Sequence, residues 1–177
     1  MFKFSEVIRS DKKLKELEVS LHRTNKLAVI ETIKELRNEE PFEGAVSLLA
    51  RLFNDSDDQA IKRTISDFCN DLKDQGVRTE IIAEIRKPLK QETIGMLVSS
   101  CWQSGLDYSE YLSDLASVFL SGNYTTAIEC MTVIDESAEK CPREDRNKII
   151  RMIEESPLSG LNEKSALTLE LISILER

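Results

Sequence analysis

Apolar residues recur along this chain at two spacings. Within short stretches they fall three or four positions apart, as in Leu14, Leu17 and Leu21, the spacing of one helix face. Over longer distances the faces themselves repeat: Leu52, Ile85, Phe119 and Ile153 are separated by 33, 34 and 34 residues. Two neighbouring columns keep step with them, Leu48, Ile81, Leu115, Ile149 and Leu49, Ile82, Ala116, Ile150. A period of this length is the trace that a stacked array of helical units leaves in a sequence.

Breakers and caps divide the pattern into about ten helices. Ser10 opens the first, which runs to His22, and the second spans about Asn25 to Arg37. Pro41 suits the first turn of the third, whose stripe is Ala45, Leu48, Leu49, Leu52 and Phe53. Asn54, Asp55 and Ser56 break and recap the chain before a fourth helix that Gly76 ends. Ile81, Ile82 and Ile85 make a short fifth helix stopped by Pro88, and Glu92 to Gln103 the sixth. Asp107 and Glu110 have capping-box spacing ahead of the seventh. Gly122 and Asn123 separate it from the eighth, Pro142 starts the ninth, Pro157 to Gly160 end that helix, and Asn162 caps the tenth.

Taken in pairs these are five helical hairpins. The second helices echo as well, in Ile61, Ile94, Ile128 and in Ile65, Val98, Thr132. The reading is one all-α domain over 1–177. Residues 1–37 form a degenerate first pair, 41–156 three central repeats and the first helix of the last pair, and 162–177 a capping helix. Atypical end units are expected of such arrays, because each must present one face to water. Paired short helices of this period, with apolar columns and Pro or Asp in the turns, resemble HEAT or armadillo-type repeats. The resemblance implies an α-α superhelix whose second helices line a concave side, acting in protein binding or scaffolding. It brings no catalytic residue with it.

Composition agrees with helices: six glycines and four prolines in 177 residues are too few for many strands and tight turns. Residues 1–10 hold no apolar run of signal-peptide length, and no stretch reaches the roughly 18 apolar residues that span a bilayer. A soluble, cytoplasmic protein is the expectation. Cys69, Cys101, Cys130 and Cys141 form no C-x-x-C pair and read as buried thiols. With His22 the only histidine, no metal, cofactor or catalytic set is assigned. The run Asp55, Asp57 and Asp58 lies at a helix start, where the macrodipole favours acids, and lacks the spacing of a calcium loop.

Charge is uneven. Residues 1–37 carry nine basic and six acidic side chains and the remainder fifteen and twenty-six, which argues against a nucleic-acid groove. Between Gln91 and Glu139 there is no Lys or Arg, and the same window holds Trp102, Tyr108, Tyr111 and Tyr124. Aromatic anchors amid one sign of charge suit a docking surface for a basic protein or peptide, with Trp102, Asp107, Tyr108, Glu110, Tyr111, Asp114 and Tyr124 as candidates. Packed core is the competing reading of these rings, with Tyr108 and Tyr124, near turns, the more exposed. A second candidate is the concave face: Lys62, Arg63, Ser66 and Asn70, then Ser99 and Gln103, then Glu129 and Ser137. Asn70, Gln103 and Ser137 share a column there. The leading expectation is a non-enzymatic binding module. Its rivals are an enzyme on a helical frame, of lyase or DNA-repair type, and a self-assembling structural component.

Overall fold

A computed structural model describes residues 9–159 and 163–177, and every regular element among them is helical. The α-helices are α1 Asp11–Leu21, α2 Lys26–Glu35, α3 Ala45–Asp55, α4 Gln59–Asn70, α5 Val77–Ile85, α6 Gln91–Gln103, α7 Leu112–Ser121, α8 Tyr124–Ser137, α9 Arg143–Glu154 and α10 Ser165–Glu176. Single 3-10 turns at Leu36–Asn38, Ser109–Tyr111 and Ala138–Lys140 adjoin them. The cap expected at Asn162 lies outside the described residues. No helix among these is long and apolar enough to cross a membrane.

The chain divides into two compact units, Met1–Leu106 and Asp107–Arg177, where the sequence reads as one continuous row. In the first, α1 packs on α2, α3 on α4 and α5 on α6. Odd helices also pack on odd ones, α1 to α3 to α5, and even on even, α2 to α4 to α6. The second unit repeats this with two hairpins: α7 on α8 and α9 on α10, with α7 against α9 and α8 against α10.

The columns explain the packing. Leu49, Ile81, Ile82 and Ile85 are buried in the first unit, as are Leu115, Ala116, Phe119 and Ile153 in the second. Leu48, Leu52 and Ile150 are only half-buried. The even helices hold their core with Ile65, Val98 and Val133, whereas the Ile61 column drifts outward until Ile128 is 39% exposed.

Helix starts follow local chemistry in part. Ser10 accepts the Lys13 amide at 3.3 Å, Asn25 that of Leu27 at 3.0 Å and Asn123 that of Thr126 at 2.9 Å, each satisfying an amide that the helix leaves open. Three expectations are corrected. Asp58, not Asn54 to Ser56, caps α4, taking the amides of Ala60 at 2.9 Å and Ile61 at 3.1 Å. Pro41 stands outside α3, which starts after Gly44 at φ +92° with no side-chain cap from its own segment. Asp107 turns onto the Ser109 amide at 3.0 Å, and a 3-10 turn intervenes before α7.

Candidate functional site

The residues of the acidic aromatic stretch differ in burial. Trp102, half-buried, belongs to the first unit, and the other candidates to the second. Tyr108, expected near the surface, is fully buried, its ring 6.3 Å from that of Tyr111. The 3-10 turn after Asp107 carries the ring inward, so Tyr108 is core. Glu110 is exposed and Tyr111 and Asp114 half-buried at the start of α7. Tyr124, 45% exposed, lies beyond the other end of that helix, about 15 Å away at 1.5 Å per residue.

The window without Lys or Arg is not free of cations in space. Lys62 reaches Glu92 at 2.5 Å, Lys140 reaches Asp107 at 3.3 Å and Arg177 reaches Asp135 at 3.1 Å. All three cations lie outside the window in sequence. Burial works to raise the Asp107 carboxyl, but hydrogen bonds from Ser109 and the Lys140 ammonium outweigh it and hold it below the usual range. This carboxylate is thus already neutralised within the second unit.

The concave-face set divides similarly. Lys62 is 6% exposed, with its ammonium 5.0 Å from the Phe53 ring centroid and paired to Glu92; it is packed inside the first unit and not presented on a face. Ser137 is buried too. Arg63 and Gln103 are exposed, and Ser66, Asn70, Ser99 and Glu129 half-buried. Ser66 donates to the Lys62 carbonyl at 3.0 Å and Gln103 to the Ser99 hydroxyl at 2.8 Å. The column of Asn70, Gln103 and Ser137 therefore has no common exposure. Among the described residues, no group of His, Cys, Asp and Glu could hold a metal ion.

A groove of about 560 Å³ in the first unit went unread in the sequence. It opens where the α2–α3 and α4–α5 connections come together, and this volume falls among ligand-sized clefts. Its floor is Phe42, Val46, Phe68, Leu72 and Val77, each 2–8% exposed. Arg37, Glu39, Glu40, Asp71, Lys73 and Asp74 form the rim. The position of Phe42 follows from its neighbours: Gly44 at φ +92° starts α3 only after it, and the Lys13 ammonium sits 5.5 Å from its ring centroid while bonding Glu39 at 3.0 Å. An aromatic residue set among Glu39, Glu40, Pro41 and Glu43 was the available signal. Comparison with known protein-family models, with curated proteins and with solved structures finds no match to this chain.

Proposed function

We propose that this chain is a non-catalytic protein-binding module, a HEAT-like stack of helical hairpins that presents its surface to a protein or peptide partner. The observation that carries this reading is the set of contacts made about one repeat apart. In the first unit Lys26 pairs with Asp58, Arg37 with Asp71, and Ser47 with Glu80, at separations of 32, 34 and 33 residues. Each joins a helix to the equivalent region of the next hairpin. A protein stabilised in this way leaves loop edges and outer helix faces free for recognition, and that is the usual work of repeat arrays. Cross-linking in the source cell tests the reading. The expected result is another protein joined reproducibly to this chain and displaced by added purified chain. Recovery of the chain with no such protein overturns it.

A further inference from the structure

We propose that the groove of the first unit takes a short peptide segment whose large apolar side chains are flanked by Lys or Arg. This rests on the protein-binding reading and assigns it a site and a partner chemistry. The floor supplies the apolar part. Phe42 and Val46 come from the α2–α3 connection and α3, Phe68 from the last turn of α4, Leu72 from the connection just after it, and Val77 from the start of α5. These residues are themselves packed, and the space of about 560 Å³ above them has room for one or two inserted apolar side chains.

Charge at the mouth selects the flanks. The rim carries four carboxylates and two cations, and both cations are already engaged. The Arg37 guanidinium lies 3.1 Å from Asp71, and the Lys73 ammonium donates to the Ser104 carbonyl at 2.8 Å. Glu39 is balanced by Lys13 at 3.0 Å. Glu40 and Asp74 are left, and neither has a cation partner among the described residues; Asp74 accepts the Gly76 amide at 2.7 Å. One stands on each of the two connections that bound the groove. A segment with cations on both sides of its anchors meets both. Lys73 keeps its charge beside Asp74, so the four carboxylates against Arg37, Lys73 and Lys13 leave the mouth one net negative charge, which disfavours an acidic segment.

Synthetic, fluorescein-labelled peptides with a Phe-Leu core test this with the full chain. One carries Lys flanks, one Glu flanks, and one keeps the Lys flanks but replaces the core with Ala. Fluorescence anisotropy should show saturable binding of the Lys-flanked Phe-Leu peptide alone, weakening as salt rises. Combining Glu40→Lys with Asp74→Asn should weaken it by about tenfold without moving the thermal midpoint, since Asn keeps an oxygen for the Gly76 amide. Equal binding of the Lys- and Glu-flanked peptides, binding of the Ala-core peptide, no binding at all, or undiminished binding by the double variant each overturns the assignment. A cellular partner that stays cross-linked to the double variant would remove the groove and leave the protein-binding reading in place. Peptide binding without any cellular partner would remove the broader reading.

Discussion

Glu80 on α5 accepts the backbone amide of Ser47 on α3 at 2.8 Å, across a sequence separation of 33 residues. That amide is one of those α3 cannot satisfy itself, because Gly44 supplies no side chain at the N-cap. Glu84, one turn along α5 and buried, takes the Ser47 hydroxyl at 2.5 Å and the Lys87 ammonium at 2.5 Å. One turn of α5 thus caps the start of α3.

Glu80→Ala should cost about 1–3 kcal/mol, the penalty for leaving a partly buried amide unpaired, read as a lower urea midpoint. The pH dependence separates charge from capping. Burial pushes the Glu80 carboxyl above its ordinary 4.5, with the Glu84 charge adding to it and the Ser47 and Gly44 hydrogen bonds opposing. A carboxyl whose folded pKa is raised contributes stability that is fully present below the unfolded pKa and lost as pH rises through the folded one. Wild type should therefore gain stability relative to Glu80→Gln as pH falls from neutral toward 4.5. A constant difference between the two would show that burial leaves this charge unpenalised.

Lys164 performs the converse task in the second unit. Its buried ammonium donates to the carbonyls of Phe119 at 2.9 Å, Leu120 at 2.5 Å and Gly122 at 2.9 Å, at the C-terminal end of α7. A cation there also meets the negative pole of the helix. Lys164→Met should lower stability by about 1–3 kcal/mol. Lys164→Arg should fall between the two, because a planar guanidinium cannot converge three donors as an ammonium does. Urea unfolding of the three proteins gives the order. A Met variant as stable as wild type would mean that water satisfies the carbonyls equally well.

These long-range caps mark what the sequence left illegible. The period was readable because Leu49 and Ile82 in the first unit and Ala116 in the second are each buried at the corresponding position of an odd helix. The local cap at Ser10 was legible because its partner, the Lys13 amide, lies three residues along the chain. Glu80 capping α3, Asn54 accepting the Lys90 amide at the start of α6, and Lys164 closing α7 have no local signature, since each partner comes from another hairpin. The cations that fill the Lys- and Arg-free window, Lys62, Lys140 and Arg177, were hidden likewise. The groove was missed because its floor combines Phe42 and Leu72, residues in connections, with the ends of three helices. The division after Leu106 was hidden too, because the apolar period runs through it unchanged.

Cysteine reactivity should report unfolding. All four thiols are buried. Burial, with the Glu80 charge adding to it, pushes Cys69 up to about 12. Burial likewise raises Cys141, with Asp145 adding and Arg146 opposing. The thiolate is the reactive form, so at pH 8 roughly one Cys69 in ten thousand would be ionised even if reagent reached it. Ellman's reagent should label none of the four within minutes in the native protein and all four in urea. Native labelling at the unfolded rate would contradict this burial.

Two glycines with positive φ should respond differently to a methyl group. Gly44 at φ +92° and Gly105 at φ +69° both hold a conformation that costs an L-residue about 1–2 kcal/mol. Around Gly105 an added Cβ meets nothing within 4 Å, so Gly105→Ala should carry the backbone cost alone, partly offset by a less flexible unfolded chain. At Gly44 the same atom would lie 2.8 Å from Leu14 Cδ1 and 3.1 Å from Cδ2, on the contact between α1 and the start of α3. Gly44→Ala should therefore cost more than Gly105→Ala, by what it takes to turn the flexible end of Leu14 aside. Shortening Leu14 should relieve that collision. In a double-mutant cycle, Gly44→Ala should be less damaging in a Leu14→Ala background, whereas Gly105→Ala should add independently of it. If the two glycine variants melt together and neither couples to Leu14, the Leu14 side chain moves aside freely and the close packing of α1 against α3 does not constrain this turn.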